Sequence, residues 1–320
     1  MAGTRVAIGV DIGGTAVKAG GVARDGTLVE RIERPTDPGA ATKTLLGVVE
    51  DLLARLARAG HHVAAIGVGA AGFVDFDAGT VTFSPNVVYD DPQIAAAVRE
   101  RFGLPVFVDN DANAAVWGER TFGCCPGADD VVMLTLGTGI GSGIVAHGRL
   151  LRGATGAGAE LGHMVVDSSG PPCPCGLRGC LEQFASGSAI ARLAHVALGV
   201  DPESAIAAFA GPGGEITGES VSRAAREYDQ TARDVLRRAG TALGIGLSNA
   251  VNVFDPELIV LGGSVVNAGE AYLGAARDQL QRMTKAQRRR PMRLDVTSLG
   301  ADGGIVGAAA LAWTEPADAA

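Results

Sequence analysis

Aromatic side chains are scarce in this 320-residue chain, at 4% of the composition. That is too few for the stacking platforms on which single-stranded nucleic acids are held. Clustered positive charge is equally scarce. The formal charge is −8, which opposes nucleic acid or an anionic membrane surface as a partner. The one basic run, KAQRRRPMR at 285–293, reads as a solvated face. No apolar run reaches the roughly 18 residues of a membrane span. The first, in RVAIGVDIGG, is broken by Asp11 before it could act as a signal-peptide core. The expectation is a cytoplasmic protein with neither a nucleic-acid nor a membrane partner. Cysteines number only five, and in that compartment grouped thiols are metal ligands or redox groups before they are disulfides.

Glycine, by contrast, is abundant, with 47 residues, and hydrophobic residues make up 47% against 19% charged. Such a chain can bury a large core, and its length predicts two domains. The N-terminal stretch predicts a strand meander broken by an RDG turn. Helical spacing follows at 43–59, a buried strand run in VAAIGVGAAGFVD, a helix in QIAAAVRERFG, and a strand running into a helix in LPVFVDNDANAAVWGER. The segment 129–153 then repeats the strand, glycine turn and strand of the beginning. Helices are predicted at 186–198 and 219–250, a buried strand in DPELIVLGGSVV, a closing helix in LGADGGIVGAAALAW, and a frayed tail in TEPADAA. Alternating strands and helices make the fold class α/β.

Four stretches carry chemistry. The turns DIGGTAVK (11–18) and LGTGIGSG (136–143) let backbone N–H groups approach an anion, with Asp11 placed to hold Mg²⁺ beside a polyphosphate. Either is also compatible with a plain tight hairpin, and neither has Walker or Rossmann spacing. LGGS at 261–264 could lie flat against a nucleoside. In VDNDANAA, Asp109, Asn110 and Asp111 sit at a strand-to-helix junction. Helix capping explains one of them; an amide beside a carboxylate is also what is needed when an alcohol attacks a γ-phosphoryl group. Cys173, Cys175 and Cys180, with His163 ten residues upstream, satisfy tetrahedral Zn²⁺ with no open position, a structural site. A redox pair is the competing reading, but C-x-C is not the C-x-x-C spacing. Glu160 and Glu182 flank the cluster, so zinc on His163 would fix a hydrogen-bond donor among acceptors suited to a neutral polyol. Cys124 and Cys125 read as packing residues.

Together, DIGGTAVK, NDANAA, LGTGIGSGIV, the block GAELGHMVV…CPCGLRGCLE and DGGIVGAA resemble the ROK family of sugar kinases and sugar-responsive repressors. The resemblance covers nearly the whole chain and, within the family, is to the ATP-dependent glucokinases of actinobacteria. It implies a two-lobed actin/hexokinase-like (ribonuclease H-like) fold with a central cleft and a zinc-binding insertion. The small lobe is expected over 1–115 with 301–320, and the large lobe, with zinc site and dimerisation surface, over 116–300. It further implies Asp111 as general base toward the sugar 6-hydroxyl, with Gly72, Asn86 and Asn110 in the same pocket. Glu160, His163 and Glu182 would bind hydroxyls at the other end of the ring. Asp11, Gly13, Gly14, Thr15, Lys18, Gly137, Thr138 and Gly139 would surround the phosphates of ATP and Mg²⁺, with Gly262 and Gly263 near the nucleoside. The family implies a homodimer or homotetramer. Many members carry Glu where this chain has Asp109, for which a local packing difference with little effect on chemistry is expected.

Three alternatives remain open. One is a kinase for N-acetylmannosamine, N-acetylglucosamine or fructose. Another is a sugar-responsive repressor, disfavoured because the first strand starts by about residue 5, leaving no helix-turn-helix ahead of it, and because the charge is acidic. The third is a polyphosphate-dependent enzyme, which resembles this chain less because it lacks the cysteine block.

Overall fold

A computed structural model describes residues 3–284 and 292–314. The strand meander is present as β1 (Arg5–Ile12), β2 (Ala16–Ala23) and β3 (Leu28–Pro35), followed by α1 (Ala41–Arg58) and β4 (His62–Ala70). Next come a small hairpin of β5 (Phe73–Asp75) and β6 (Thr80–Phe83), α2 (Ile94–Phe102), β7 (Val106–Asn110) and α3 (Asp111–Phe122). The second series is β8 (Val131–Leu136), β9 (Ile140–Ala146), β10 (Arg149–Leu150), α4 (Glu182–Ala185), α5 (Gly187–Leu198), α6 (Gly218–Arg226) and α7 (Gln230–Phe254). It ends with β11 (Leu258–Gly262), α8 (Glu270–Met283), β12 (Arg293–Val296) and α9 (Gly303–Thr314).

The repeated strand, turn and strand is the visible part of a larger duplication. One sheet has the order β3-β2-β1-β4-β7 and the other β10-β9-β8-β11-β12. In the first, β1 is antiparallel to β2 and parallel to β4, and β4 is parallel to β7. In the second, β11 lies parallel between β8 and β12. Each sheet thus pairs a meander with two crossover strands.

Contacts divide the chain into one unit of residues 1–129, 143–159 and 297–320 and another of 130–142 and 160–296. This division differs from the sequence boundaries at 115 and 301. The reason lies in Glu119, only 1% exposed on α3. Its carboxylate accepts from the Ser298 and Leu299 amides at 3.1 Å each, from the Ser298 and Thr297 hydroxyls, and from the Cys124 amide at 2.8 Å. Burial opposes its ionisation, but the hydrogen bonds from Thr297, Cys124 and Leu299 outweigh that, and its pKa lies below the usual value. The whole of α3 and the approach to α9 therefore belong with the first sheet.

The first unit's core forms between that sheet and its helices. Along α1, Leu45, Val48, Val49, Leu52 and Leu56 recur at helical spacing and are fully buried. The helix start is capped from a distance, Asp90 accepting from the Thr42 amide at 3.0 Å. On the other face α9 presses Ile305, Val306 and Ala309 onto Ala7 and Val22. Its backbone comes so close that a Cβ at Gly67 would sit 1.8 Å from the Ala308 carbonyl oxygen.

Two sequence expectations are refined. The helix expected over 219–250 is two helices, because Tyr228 adopts φ 66° and Asp229 caps α7 by accepting from the Ala232 amide at 2.7 Å. The run VAAIGVGAAGFVD bends at Gly72, whose φ of 131° separates β4 from β5. Cys125 is buried, as expected of a packing residue. Residues 285–291 of the basic run and 315–320 of the tail lie outside the described residues. Among the described residues, no helix is long and apolar enough to cross a membrane.

Candidate functional site

In the first unit the C-terminal ends of three parallel strands are in register. Asp11 pairs with Gly69, and Gly69 with Asp109; one step on, Ile12, Ala70 and Asn110 line up. This is the edge at which parallel α/β sheets present ligand-binding groups. The sequence at β7 folds this way because Asn110 caps α3, its Oδ1 accepting from the Ala112 and Asn113 amides at 2.8 and 3.1 Å. Its Nδ2 donates one hydrogen to the Gly72 carbonyl at 3.0 Å, leaving the second amide hydrogen for a ligand. Asp111, half-buried at the first position of α3, accepts from the Ala112 amide at 2.9 Å.

Asp11 sits opposite Lys18 on β2. Burial pushes its pKa up, and the charge of Lys18 works in the opposite sense. The start of α9 closes on it, since a Cβ at Gly304 would lie 2.5 Å from Asp11 Oδ2. The turn between β1 and β2 is braced: the Gly13 amide donates to the Ala16 carbonyl at 3.1 Å, and the Thr36 hydroxyl to the Gly13 carbonyl at 2.7 Å. The Asn86 backbone lies beside Gly14. Tyr89, not singled out in the sequence, donates its hydroxyl to the Ala71 carbonyl at 3.1 Å. Its pKa is raised by burial and then by the charges of Asp111 and Asp11. The two aspartates therefore share one neighbourhood, together with Gly13, Gly14, Thr15, Gly72, Asn86 and Asn110.

In the second unit the turn after β8 is tied to helix starts. The Gly137 amide donates to the Gly139 carbonyl at 2.9 Å, and the Gly187 amide at the start of α5 donates to Gly137 at 2.8 Å. A cavity of about 340 Å³ opens there, walled by Thr138, Ser188, Ile216, Thr217, Ser264 and Val265 among others. Of the five residues expected around phosphates and nucleoside in this unit, Gly137 and Thr138 line it. Gly262 and Gly263 do not; they end β11 and turn the chain, Gly263 with φ 86°, so that Ser264 and Val265 form the wall. Ser188, Ile216 and Thr217 went unnoticed in the sequence. Their only local signals are the N-caps Ser186 and Thr217, which mark helices rather than ligands.

Gly139 faces elsewhere. A Cβ there would lie 2.3 Å from Glu182 Oε2, and that oxygen accepts from the Ile140 amide at 3.0 Å. Glu182 thus joins the glycine turn to the cysteine block while keeping Oε1 for other donors. Glu160 has its pKa raised by burial and by Glu182, with His163 opposing. The electrostatic coupling places the three expected hydroxyl-binding residues close together.

His163, Cys173, Cys175 and Cys180 converge, with one ligand atom from each lying within 4.8 Å of all the others. The Cys173 sulfur is 3.6 Å from His163 Nδ1, and the Cys175 and Cys180 sulfurs are 3.6 Å apart. A tetrahedron with Zn–S of about 2.3 Å and Zn–N of about 2.0–2.1 Å puts its corners roughly 3.5–3.8 Å apart. The donor set and its spacing fit zinc. His163 faces the cluster with Nδ1, leaving Nε2 directed away from it, and Gln183 donates to the Cys173 sulfur at 3.7 Å.

A sheet topology used twice, one copy ending in paired aspartates and the other in a glycine turn over a cavity, places the chain among two-domain α/β kinases of the hexokinase type. Its sequence matches the ROK family over residues 7–315, and the protein belongs to that family. The glucokinase of Streptomyces coelicolor is 39% identical over 95% of this chain and 96% of its own. A crystal structure of a ROK family glucokinase from Streptomyces griseus, in complex with glucose and AMPPNP, has a TM-score of 0.83 at 39% identity, covering 96% of this chain and 98% of that one. A ROK family transcriptional regulator, a homologue of the Escherichia coli MLC protein, has a TM-score of 0.87 at 26% identity, covering 96% of this chain and 78% of the regulator.

Proposed function

We propose that this ROK family kinase transfers the γ-phosphoryl group of MgATP to the 6-hydroxyl of glucose. The observation that carries the reading is the junction at β7 and α3, where an amide with one free hydrogen adjoins a half-buried carboxylate. Asn110 orients the sugar and Asp111 takes the hydroxyl proton as oxygen attacks phosphorus. Gly72 and Asn86 complete that end of the pocket, and Glu160, His163 and Glu182 accept from and donate to the remaining hydroxyls. Asp11, with Lys18 opposite, is the carboxylate suited to Mg²⁺, an oxygen-seeking cation that neutralises phosphate charge. The turns holding Gly13, Gly14 and Thr15 and Gly137, Thr138 and Gly139 surround the phosphates, with the Gly13 and Gly137 amides spent inside the turns on Ala16 and Gly139 and the remaining groups left to the ligand. The cavity beside Ser264 takes the nucleoside, with Gly262 and Gly263 shaping its wall. Bound zinc would fix the ring of His163 and take no part in the transfer.

The likeness to the glucose- and AMPPNP-bound Streptomyces enzyme supports this choice of acceptor and donor. The test is a panel of glucose, fructose, N-acetylglucosamine and N-acetylmannosamine, each with ATP and with polyphosphate, on the parent and on Asp111→Asn. Glucose with ATP is expected to give the highest kcat/KM. The variant should bind glucose normally yet turn over about 10²-fold or more slower. Near-normal turnover of the variant removes Asp111 as base. The likeness to the MLC homologue favours a second reading, a sugar-responsive regulator; glucose binding without phosphorylation of any sugar would select it.

A further inference from the structure

We propose that Asp109 and Arg152 form a positioning pair that holds the junction carrying Asn110 and Asp111. The proposal rests on Asp111 being the base. Asp109 is 2% exposed, and a buried carboxylate is stable only when paired and hydrogen-bonded. It has donors from three places. Oδ1 accepts from the Asn110 amide at 2.8 Å and from Nδ2 of Asn113, itself buried, at 2.9 Å. Oδ2 accepts from Arg152 Nε at 2.7 Å. One carboxylate therefore grips the last peptide of β7, the first turn of α3 and a segment 43 residues away.

Capping does not require this. Asn110 already satisfies the Ala112 and Asn113 amides, so Asp109 is not needed for the cap and acts on the position of the junction. Fixed backbone on both sides of Asp111 limits where its carboxylate can travel, and small displacements of a base cost much turnover.

Arg152 is itself held in place. Its guanidinium lies 3.6 Å from the centre of the Phe76 ring, in the turn between β5 and β6. Its carbonyl accepts from the Gly158 amide at 2.9 Å, closing the loop 152–158. That loop is pressed onto β5 at Gly156, where a Cβ would come 1.8 Å from the Val74 carbonyl oxygen. A stacked, planar guanidinium cannot be replaced by a lysine without loss.

The test uses the full-length chain as Arg152→Met, Arg152→Lys, Asp109→Asn and the double variant Arg152→Met/Asp109→Asn. Kinetics with glucose and MgATP are read alongside thermal unfolding and the folded fraction. The double variant guards against misfolding, because removing both partners of a buried pair strands no charge. Each single variant is expected to lower kcat per folded molecule about tenfold or more with both KM values nearly unchanged. Arg152→Lys should fall between Arg152→Met and the parent. The double variant should be no slower than the worse single one. Parental kcat in the single variants overturns the proposal, as does recovery of parental kcat in the double variant. Losses confined to unfolding temperature or folded fraction overturn it too. A parent that phosphorylates no sugar instead removes the reading of Asp111 on which the pair depends.

Discussion

Asp11, half-buried, and Glu119, buried, are both carboxylates of the first unit, yet their surroundings act on them in opposite senses. Glu119 gains enough donors to lower its pKa, whereas Asp11 is pushed above its ordinary 3.8. For Asp11 the folded state holds the proton more tightly than the unfolded one. Its contribution to stability is thus fully present below the unfolded value and is lost as pH rises through the folded one. Above that raised pKa the ionised Asp11 therefore costs stability, which a bound cation would recover. Asp11→Asn is expected to raise the unfolding temperature at pH 7 in metal-free buffer, with the gain vanishing as pH falls through the raised pKa, and to abolish Mg²⁺-dependent turnover. Thermal melts over a pH series check the first part; an unchanged or lower melting temperature at pH 7 would mean the carboxylate is not held at a cost. The sequence showed Asn110 and Asp111 because capping and catalysis share a local signal. It did not show what Asp109 and Glu119 do, because the partners that tie them across the fold, Arg152 for the one and Thr297, Ser298 and Leu299 for the other, lie 43 and at least 178 residues away.

At the scale of elements the cysteine block is unusual in having almost no regular structure. Between His163 and Cys180 the described backbone has only two isolated bridges, Val165 with Cys180 and Pro172 with Arg178. Backbone hydrogen bonds such as the Val166 amide to the Gly179 carbonyl at 2.9 Å, the Cys173 amide to Leu177 at 2.8 Å and the Leu181 amide to Met164 at 2.9 Å hold its turns. A bound zinc would add four bonds across them and make metal binding part of the folding free energy of the segment. Cys173→Ser, or extraction with a strong chelator, should reduce bound zinc from one per chain to none. Amide hydrogen exchange should then rise sharply across 163–181 while β1, β4 and β7 stay protected. The KM for glucose should increase because Glu160 and Glu182 lose their frame. A metal-free parent with the same exchange pattern would show that the sulfurs pack without zinc. This element was legible from spacing alone, since C-x-C-x₄-C with a distant histidine leaves few other readings. The break between α6 and α7 was not, because Asp229 is an N-cap only if the chain turns at Tyr228, and nothing local demands that it turn.

For the whole molecule, the consequential fact is that the chain passes between its two units at 129/130, 142/143, 159/160 and 296/297. Sequence patterning detected the duplication through its glycine turns. The boundaries it suggests, at 115 and 301, differ from these crossings because no linker signal marks them; one crossing lies inside a strand, β9. The first unit is thus incomplete without the C-terminal helix. α9 brings Ile305, Val306 and Leu311, at most 4% exposed, together with three buried alanines. At about 1.5–3 kcal/mol for each large apolar side chain, these three alone are worth roughly 5 kcal/mol or more. That is comparable to the ~5–15 kcal/mol by which a domain is stable. Removing residues 297–320 would also strip Glu119 of its Thr297, Ser298 and Leu299 donors, leaving a buried carboxylate short of partners at a further cost of a few kcal/mol. The 1–296 chain is therefore expected to lose the cooperative unfolding transition of its first sheet, read by circular dichroism and by exchange across β1 and β4. Parental melting of that truncated chain would show that the first sheet does not need α9 to fold, against the packing that brings Gly67 onto the Ala308 carbonyl.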